Sequence, residues 1–476
     1  HSSDMVERVF WLLVPDPAGA IWLGAMLALV LFGRPERPFD RRNLALVALL
    51  LLSPLLAHSY AHGGFVQKHL EALFTLIFLL TAGYAAWGLV LSRRTRAAPW
   101  RPNLSRVQLR GLLLFVLAYN VITVLGRFPD DAGYYTNLGA QRWMETGKIP
   151  YADYKLRGPD APAFGAAATY GPLLYVAHMP FQLVLGLRHN PADAEPEGQD
   201  YRIPAVPATQ LTCLTFWLIG LMALYRVLRR MAGEETALAG VILYAGSPYI
   251  AGMGSAKTVI GGLAYISHIA PSAVTLAAFA LMGEPLLSGL LLAVGVGVLF
   301  YPAFMFPAWF GWYLFRRRGA GRFALGFGVG CLAIIGLVLV FSRGLQGETA
   351  AQAFERSTVE HQEGTTAREY GASHFSFWGT HPALAEVWQR PLTRGSSIFK
   401  PTFLLFVGFC GLTFFLARGR SQAQLAGLTA AVAAAVQLWK THATGTYVAW
   451  YLPFLLLALL AAGVGVGDVG PAPGPG

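Results

Sequence analysis

Residues 171–187 read GPLLYVAHMPFQLVLGL, and whether they cross a membrane fixes the sidedness of everything after them. Arginines cluster at segment ends: Arg41/Arg42, Arg93/Arg94/Arg96, Arg229/Arg230, Arg316–Arg318 and Arg418/Arg420. Such clusters collect on the cytoplasmic side. If 171–187 spans, 188–207 turns cytoplasmic, and Arg229/Arg230 with every later cluster falls on the wrong side. If it lies in the interface, all of them fall inside. Pro172 and Pro180, with His178 between them, also disfavour a plain span. The reading is an interfacial or re-entrant segment.

Working outward, the chain is 55% apolar and 13% charged, against roughly a quarter charged in soluble domains. Apolar segments near the ~17–25 residues of a membrane span recur along it. They fall near 18–33, 44–58, 70–92 and 110–126, then 208–228, 236–252, 263–282, 286–301, 303–316, 322–342, 398–417, 424–440 and 446–463. The expectation is an all-α polytopic membrane protein of about thirteen transmembrane helices, N-terminus outside and C-terminus inside. The pair 286–301 and 303–316 is short and broken by Tyr301-Pro302 and Pro307. The net charge of +11 reflects the arginine clusters and does not point to nucleic acid. Cys213, Cys331 and Cys410 lie in apolar segments and imply no disulfide framework. The leading HSSD is read as a remnant of expression and set aside.

Two outer loops are long, 127–207 and 343–397, and loops of that length usually carry function or are disordered. The first opens with Arg127–Tyr154, RFPDDAGYYTNLGAQRWMETGKIPYADY. Asp130 and Asp131 stand at the membrane exit. A helical run follows with Tyr134, Tyr135, Leu138 and Trp143, aromatics suited to the interface, and Gly147 ends it. Lys155 and Arg157 lie further along the same loop. They are phosphate contacts on one reading and a solvated basic loop on the other. Lys257 falls on another outer loop. Lys400 begins a span beside Pro401, where a lysine often only snorkels. Lys440 and His442 precede Tyr447, Trp450 and Tyr451; a cationic cluster at headgroup depth suits a lipid phosphate. The second loop holds Glu360, His361, Glu363, His374 and His381, which lack the spacing of a helical metal site. No P-loop or dinucleotide fingerprint occurs.

These pieces, taken in order, resemble the GT-C integral membrane glycosyltransferases. Arg127-Phe-Pro-Asp130-Asp131 with Tyr134 is similar to the acidic motif of that family's first outer loop. Glu145–Tyr151 with Asp153 resembles its continuation, and Tyr170-Gly-Pro-Leu-Leu-Tyr175 its second interfacial helix. Arg202-Ile-Pro-Ala, Arg229–Gly233 and Ser247-Pro248 extend the likeness, which covers roughly 110 to the end. The detail most resembles bacterial mannosyl- or arabinosyltransferase-like members that use polyprenyl-phosphate sugars. The departure is at the front, where three spans precede the one that leads into the acidic loop. Residues 1–109 are therefore an N-terminal extension, and 110–476 a GT-C-like catalytic domain.

The resemblance implies a bacterial inner-membrane enzyme with its site on the periplasmic face. The donor would be a polyprenyl-phosphate-linked sugar and the acceptor a hydroxyl of a glycan, lipid or protein. Asp130 would be the general base, with Asp131 orienting it. Lys155, Arg157, Lys257, Lys400, Lys440 and His442 are the candidates for the donor phosphate. Tyr134, Tyr135, Asp153, Tyr170, His361 and His374 are those for acceptor or sugar. No cofactor is firmly implied, and the carboxylates leave room for a divalent cation. A single displacement would invert the anomeric centre. The alternatives are a transporter or flippase of a lipid-linked or anionic substrate, a glycan polymerase or ligase, and a non-catalytic scaffold. A transporter would show inverted repeats and mid-membrane ionisable residues, and neither is clear here.

Overall fold

A computed structural model describes residues 27–34, 36, 37, 39, 40, 43, 44, 46, 100–125, 131–149, 151, 170–185, 207–251, 262–342, 348–355, 386–388, 390, 392, 399–439 and 447–461. Among the described residues the regular elements are helical. Most of the proposed extension 1–109, including the expected spans at 44–58 and 70–92, lies outside them.

The helices are α1 (Arg106–Leu125), α2 (Asp131–Thr146), α3 (Pro172–Leu185), α4 (Pro207–Ala232), α5 (Glu234–Ala245) and α6 (Ile266–Ala280). Then come α7 (Pro285–Val298), a 3-10 turn (Tyr301–Met305), α8 (Phe306–Phe315), α9 (Ala320–Phe341), α10 (Pro401–Leu416), α11 (Gln422–Trp439) and α12 (Val448–Leu460). Their starts are written locally. Proline opens α3, α4, α7 and α10, where its missing N–H costs nothing. Ser105 with Gln108 before α1, and Ser421 with Gln424 before α11, form reciprocal capping boxes. Gly147 at φ +67 ends α2, and Gly233 at φ +91 separates α4 from α5; both take the left-handed side that glycine adopts without strain.

Among the described residues, three helices, α1, α4 and α9, are long and apolar enough to cross a membrane. α9 bears Leu325, Leu332 and Val340 at 60%, 68% and 65% exposure, an apolar face that water would not tolerate so broadly. The expected span 286–301 stops at Val298, because Leu299 turns extended (φ −154, ψ 140). The expected 303–316 divides into the 3-10 turn and the short α8. Pro302 and Pro307 lack the N–H groups that a continuous helix would use. The expected 236–252 is shorter too, ending at Ala245 before Gly246.

Among the described residues, the arginine clusters at Arg229/Arg230, Arg316–Arg318 and Arg418/Arg420 gather at one end of the bundle with Arg106 and Arg110. Arg106 Nε reaches Glu235 and Arg110 Nη2 reaches Glu234, each at 2.9 Å. Arg230 donates to the Ala280 carbonyl (3.3 Å) and to Gln422 (3.4 Å). Arg316 Nη2 donates to the Arg420 carbonyl at 2.9 Å. At the opposite end, Gln210 in the first turn of α4 donates to the carbonyls of Val124 (3.2 Å) and Leu125 (3.1 Å) in the last turn of α1. The segment between α1 and α4 therefore leaves and returns at the same end. A single crossing by 171–187 does not fit that geometry. α3, at 14 residues, is about 21 Å long against a ~30 Å hydrocarbon core.

The interior is a belt of helices from α4 to α12. α4 packs on α5 and α6, α6 on α7, and α11 on α12. Several buried indole N–H and phenol O–H groups find acceptors far along the chain: Trp309 to Thr429 (2.9 Å), Tyr313 to the Met282 carbonyl (2.9 Å) and Trp450 to the Ser267 carbonyl (3.0 Å). α7 and α9 come closest, with Gly289 and Ala293 facing Gly326 and Gly330. Small residues four apart let two backbones touch where lipid gives apolar side chains no reason to associate.

Candidate active site

α2 and α3 pair with each other and sit over α4, α6, α7 and α9 at the end away from the arginines. Gly171 fixes this pairing to the bundle. Its N–H donates to the Val298 carbonyl at 3.2 Å, and its Cα lies so near the Gly297 carbonyl that a Cβ would fall 2.0 Å from that oxygen. Beneath the pair, Ala140, Trp143, Ile149, Tyr151, Tyr175 and Val338 form a separate apolar cluster. The Ile149 N–H is bonded to the Phe341 carbonyl (2.9 Å), so the end of α2 is pinned to the end of α9. Tyr151 donates its O–H to the Tyr170 carbonyl at 3.1 Å, and burial raises the phenol's pKa above its ordinary value.

The start of α2 is held by buried polar groups. Thr136 donates to the Ala132 carbonyl at 2.6 Å and lies 3.0 Å from His178 Nε2 on α3. Since the threonine proton goes to the carbonyl, the histidine supplies its own Nε2–H to Thr136. His178 Nδ1 is then the basic nitrogen, and it has no hydrogen-bond partner among the described residues. One turn on, Gln182 Nε2 donates to both the Asn137 carbonyl and Asn137 Oδ1, each at 2.7 Å. From α4, Thr209 donates to the Gly133 carbonyl at 3.3 Å. Together with Gln210 on the end of α1, these bonds draw three helix ends to one point. Asp131 is the first residue of α2, and Asp130 precedes it.

His178 is fully buried, and that burial depresses its pKa to about 3. The unfolded chain, with an ordinary histidine pKa of about 6.5, binds the proton first. Stability contributed by neutral His178 is thus full above about pH 6.5 and falls toward pH 3, by up to about 1.4 kcal/mol per pH unit. His178→Gln should flatten that part of the curve. Unfolding midpoints of both proteins from pH 7 to pH 5 check this, and parallel curves would refute it.

Of the residues singled out in the sequence, Asp131, Tyr134 and Tyr135 are placed along the first turns of α2 by their backbone. Tyr170 lies two residues before the start of α3 and is partly exposed. Lys400 caps α10 in extended backbone (φ −118, ψ 160) and is 1% exposed, so its ammonium is enclosed rather than snorkelled into solvent. The Lys400 carbonyl receives the N–H groups of Phe403 (3.0 Å) and Leu404 (3.2 Å). Phe403 packs 4.7 Å from Trp439, the last residue of α11 and the neighbour of Lys440. Close by at the same end, His268 lies between Tyr265 (5.1 Å) and Tyr447 (4.8 Å), and Trp450 stacks on Tyr301 at 4.2 Å. Asp130, Asp153, Lys155, Arg157, Lys257, His361, His374, Lys440 and His442 lie outside the described residues. Among the described residues, no three His, Cys, Asp or Glu side chains gather as metal ligands would.

The sequence reading gave Thr136, Asn137, Gln182, Thr209 and Gln210 no role, and it used His178 only as an argument against a span. A usable signal was present: a histidine and a glutamine four apart on an otherwise apolar helix must share one face and need partners there.

No protein family and no curated protein matches the chain. Among solved structures, an oligosaccharyltransferase of Archaeoglobus fulgidus, crystallised with a tethered acceptor peptide, aligns at a TM-score of 0.37 and 12% identity. The alignment covers 75% of this chain and 49% of that one, so the chain spans about half of that protein. At that score the likeness assigns neither fold nor activity.

Proposed function

We propose that this chain is a membrane glycosyltransferase that moves a sugar from a polyprenyl-phosphate carrier to an acceptor hydroxyl at the membrane's outer face. The observation that carries the reading is the separation of charge along the bundle. The clusters Arg229/Arg230, Arg316–Arg318 and Arg418/Arg420 occupy one end, while the start of α2, which Asp131 opens, the buried Lys400 and the aromatic helix ends occupy the other. Glycosyl transfer from a lipid phosphate needs those two partners at one depth. A carboxylate must take the proton of the attacking hydroxyl, and a cation must receive the departing phosphate. In this reading Asp130 is the base, Asp131 orients the acceptor, and attack from the face opposite the phosphate inverts the anomeric carbon. The phosphate is a good leaving group, so charge stabilisation suffices without a general acid. α2 and α3 lie along the outer interface, where lipid and water-borne partners both have access.

The test is release of labelled sugar from a synthetic polyprenyl-phosphate sugar by the purified chain in detergent. Intact donor in the presence of broken cell envelope as acceptor would overturn the reading. Lys400 gives a second measurement. Lys400→Met keeps the length of a buried side chain and removes its charge. Donor binding should weaken by about 1.5–3 kcal/mol, the range for a hydrogen bond to a charged group. Unchanged donor affinity would remove Lys400 from the phosphate site.

A further inference from the structure

In its second half α3 is inside out. Leu183 and Val184 are 73% and 84% exposed, and Pro180 is exposed as well, while the polar His178 and Gln182 are buried. Residues four apart on a helix share one face, and this polar face is turned to α2.

The two halves of α2 are held differently. The second half rests on apolar contact. Ala140 and Trp143 lie in one cluster with Tyr175 and Val338, and the Trp143 ring is 5.3 Å from Phe341. Apolar contact has no direction, so it tolerates sliding and rotation. The first half, which Asp131 opens, is held by hydrogen bonds. His178 meets Thr136 at 3.0 Å, and Gln182 meets the Asn137 carbonyl and Asn137 Oδ1 at 2.7 Å each. Such bonds weaken steeply away from their axis. Bonds to two adjacent residues therefore fix both the rotation and the slide of α2 against α3. Thr136 passes the constraint on, since its hydroxyl donates to the carbonyl of Ala132, the neighbour of Asp131 (2.6 Å).

This hold is costly in stability. His178 Nδ1 and Gln182 Oε1 are buried without a hydrogen-bond partner among the described residues. The Asn137 carbonyl takes only a donor, so the Gln182 amide cannot turn round to relieve its oxygen. A buried acceptor without a donor bears its full desolvation penalty, whereas apolar groups of the same shape would be nearly neutral. Packing alone would be served better by apolar side chains. What the polar pair adds is direction.

We propose that His178 and Gln182 are positioning residues for the transfer reaction, an inference that rests on the glycosyltransferase reading. Acting through Thr136 and Asn137, they set the register of the α2 start, where Asp130 and Asp131 stand in the sequence. Neither needs to touch a substrate. A reacting group displaced by ~1 Å can lose about 10²-fold in rate.

Steady-state sugar transfer and hydrogen exchange, both on the full chain in one detergent, test it. His178→Leu and Gln182→Met should each lower kcat by about 10–10²-fold and leave the donor KM unchanged. Amides of residues 132–140 should lose protection while those of α4 to α12 keep theirs. His178→Gln places an amide N–H near the position of Nε2–H and should recover most of the lost kcat. If His178→Leu does not fold, Gln182→Met and His178→Gln decide the matter. Wild-type kcat in folded His178→Leu or Gln182→Met would overturn the proposal. So would a His178→Gln protein as impaired as His178→Leu, or protection lost across the whole bundle, which would mark a merely structural role. A wild type that transfers no sugar would instead refute the glycosyltransferase reading. The hold on α2 would then be judged by exchange alone, and unaltered protection of 132–140 in the variants would overturn it too.

Discussion

Asp130→Asn should cut sugar transfer by about 10²–10⁴-fold while donor binding persists, because general-base catalysis is typically worth that much. The amide keeps the size and much of the hydrogen bonding of the carboxylate but cannot accept the acceptor's proton. Asp130 precedes the first residue of α2, whose opening turns are fixed by Thr209, His178 and Gln182 from two other helices. Asp131→Asn should cost less if that residue only orients. The measurement is single-turnover transfer with saturating donor, alongside donor binding in the same preparation. Near-normal transfer by a folded Asp130→Asn protein would place the base elsewhere, with Asp131, Asp153 and Glu360 next to be examined.

The largest effect on stability is expected at the contact of α7 with α9. A Cβ on Gly326 would lie 2.1 Å from the Leu286 carbonyl oxygen, and one on Gly289 2.1 Å from the Phe323 carbonyl oxygen. These obstacles are backbone, which no rotamer change can move. Gly326→Ala should therefore push the two helices apart and cost about 1–3 kcal/mol or more, in spite of alanine's better helix propensity. Gly328 supplies the control two residues away, since a Cβ there meets nothing within 4 Å. Gly328→Ala should melt at or above the wild-type temperature. Thermal unfolding in one detergent compares the three proteins. Equal midpoints for Gly326→Ala and wild type would show that the two helices do not approach as closely as described.

The sequence by itself determined the class of fold, because hydropathy, proline and capping residues act locally. The span expected at 322–342 is found as Ala320–Phe341, and the one expected at 208–228 as Pro207–Ala232. Gly147 ends α2 as its place in the sequence requires, since its left-handed backbone is a property of the residue. That Arg229/Arg230, Arg316–Arg318 and Arg418/Arg420 share one end of the bundle was readable for the same reason: charge near an apolar segment has to stay out of the hydrocarbon wherever the segment lies.

What only the tertiary structure decided is which residues meet. The breaks at Leu299 and Ala245 depend on packing around the 3-10 turn and Gly246, so the expected spans there ran too long. The polar groups holding α2 are contributed by α3 and α4, across 42 residues between Thr136 and His178 and 76 between Gly133 and Thr209. No local pattern specifies such partners, because a buried polar atom needs some partner and the fold alone selects which one. Lys400 is the sharpest case. Its neighbours Phe399 and Pro401 mark the start of a helix at a membrane surface, where an ammonium ordinarily reaches for water. In the folded chain α10 packs against α11 through Phe403 and Trp439, and the Lys400 side chain at its start is 1% exposed.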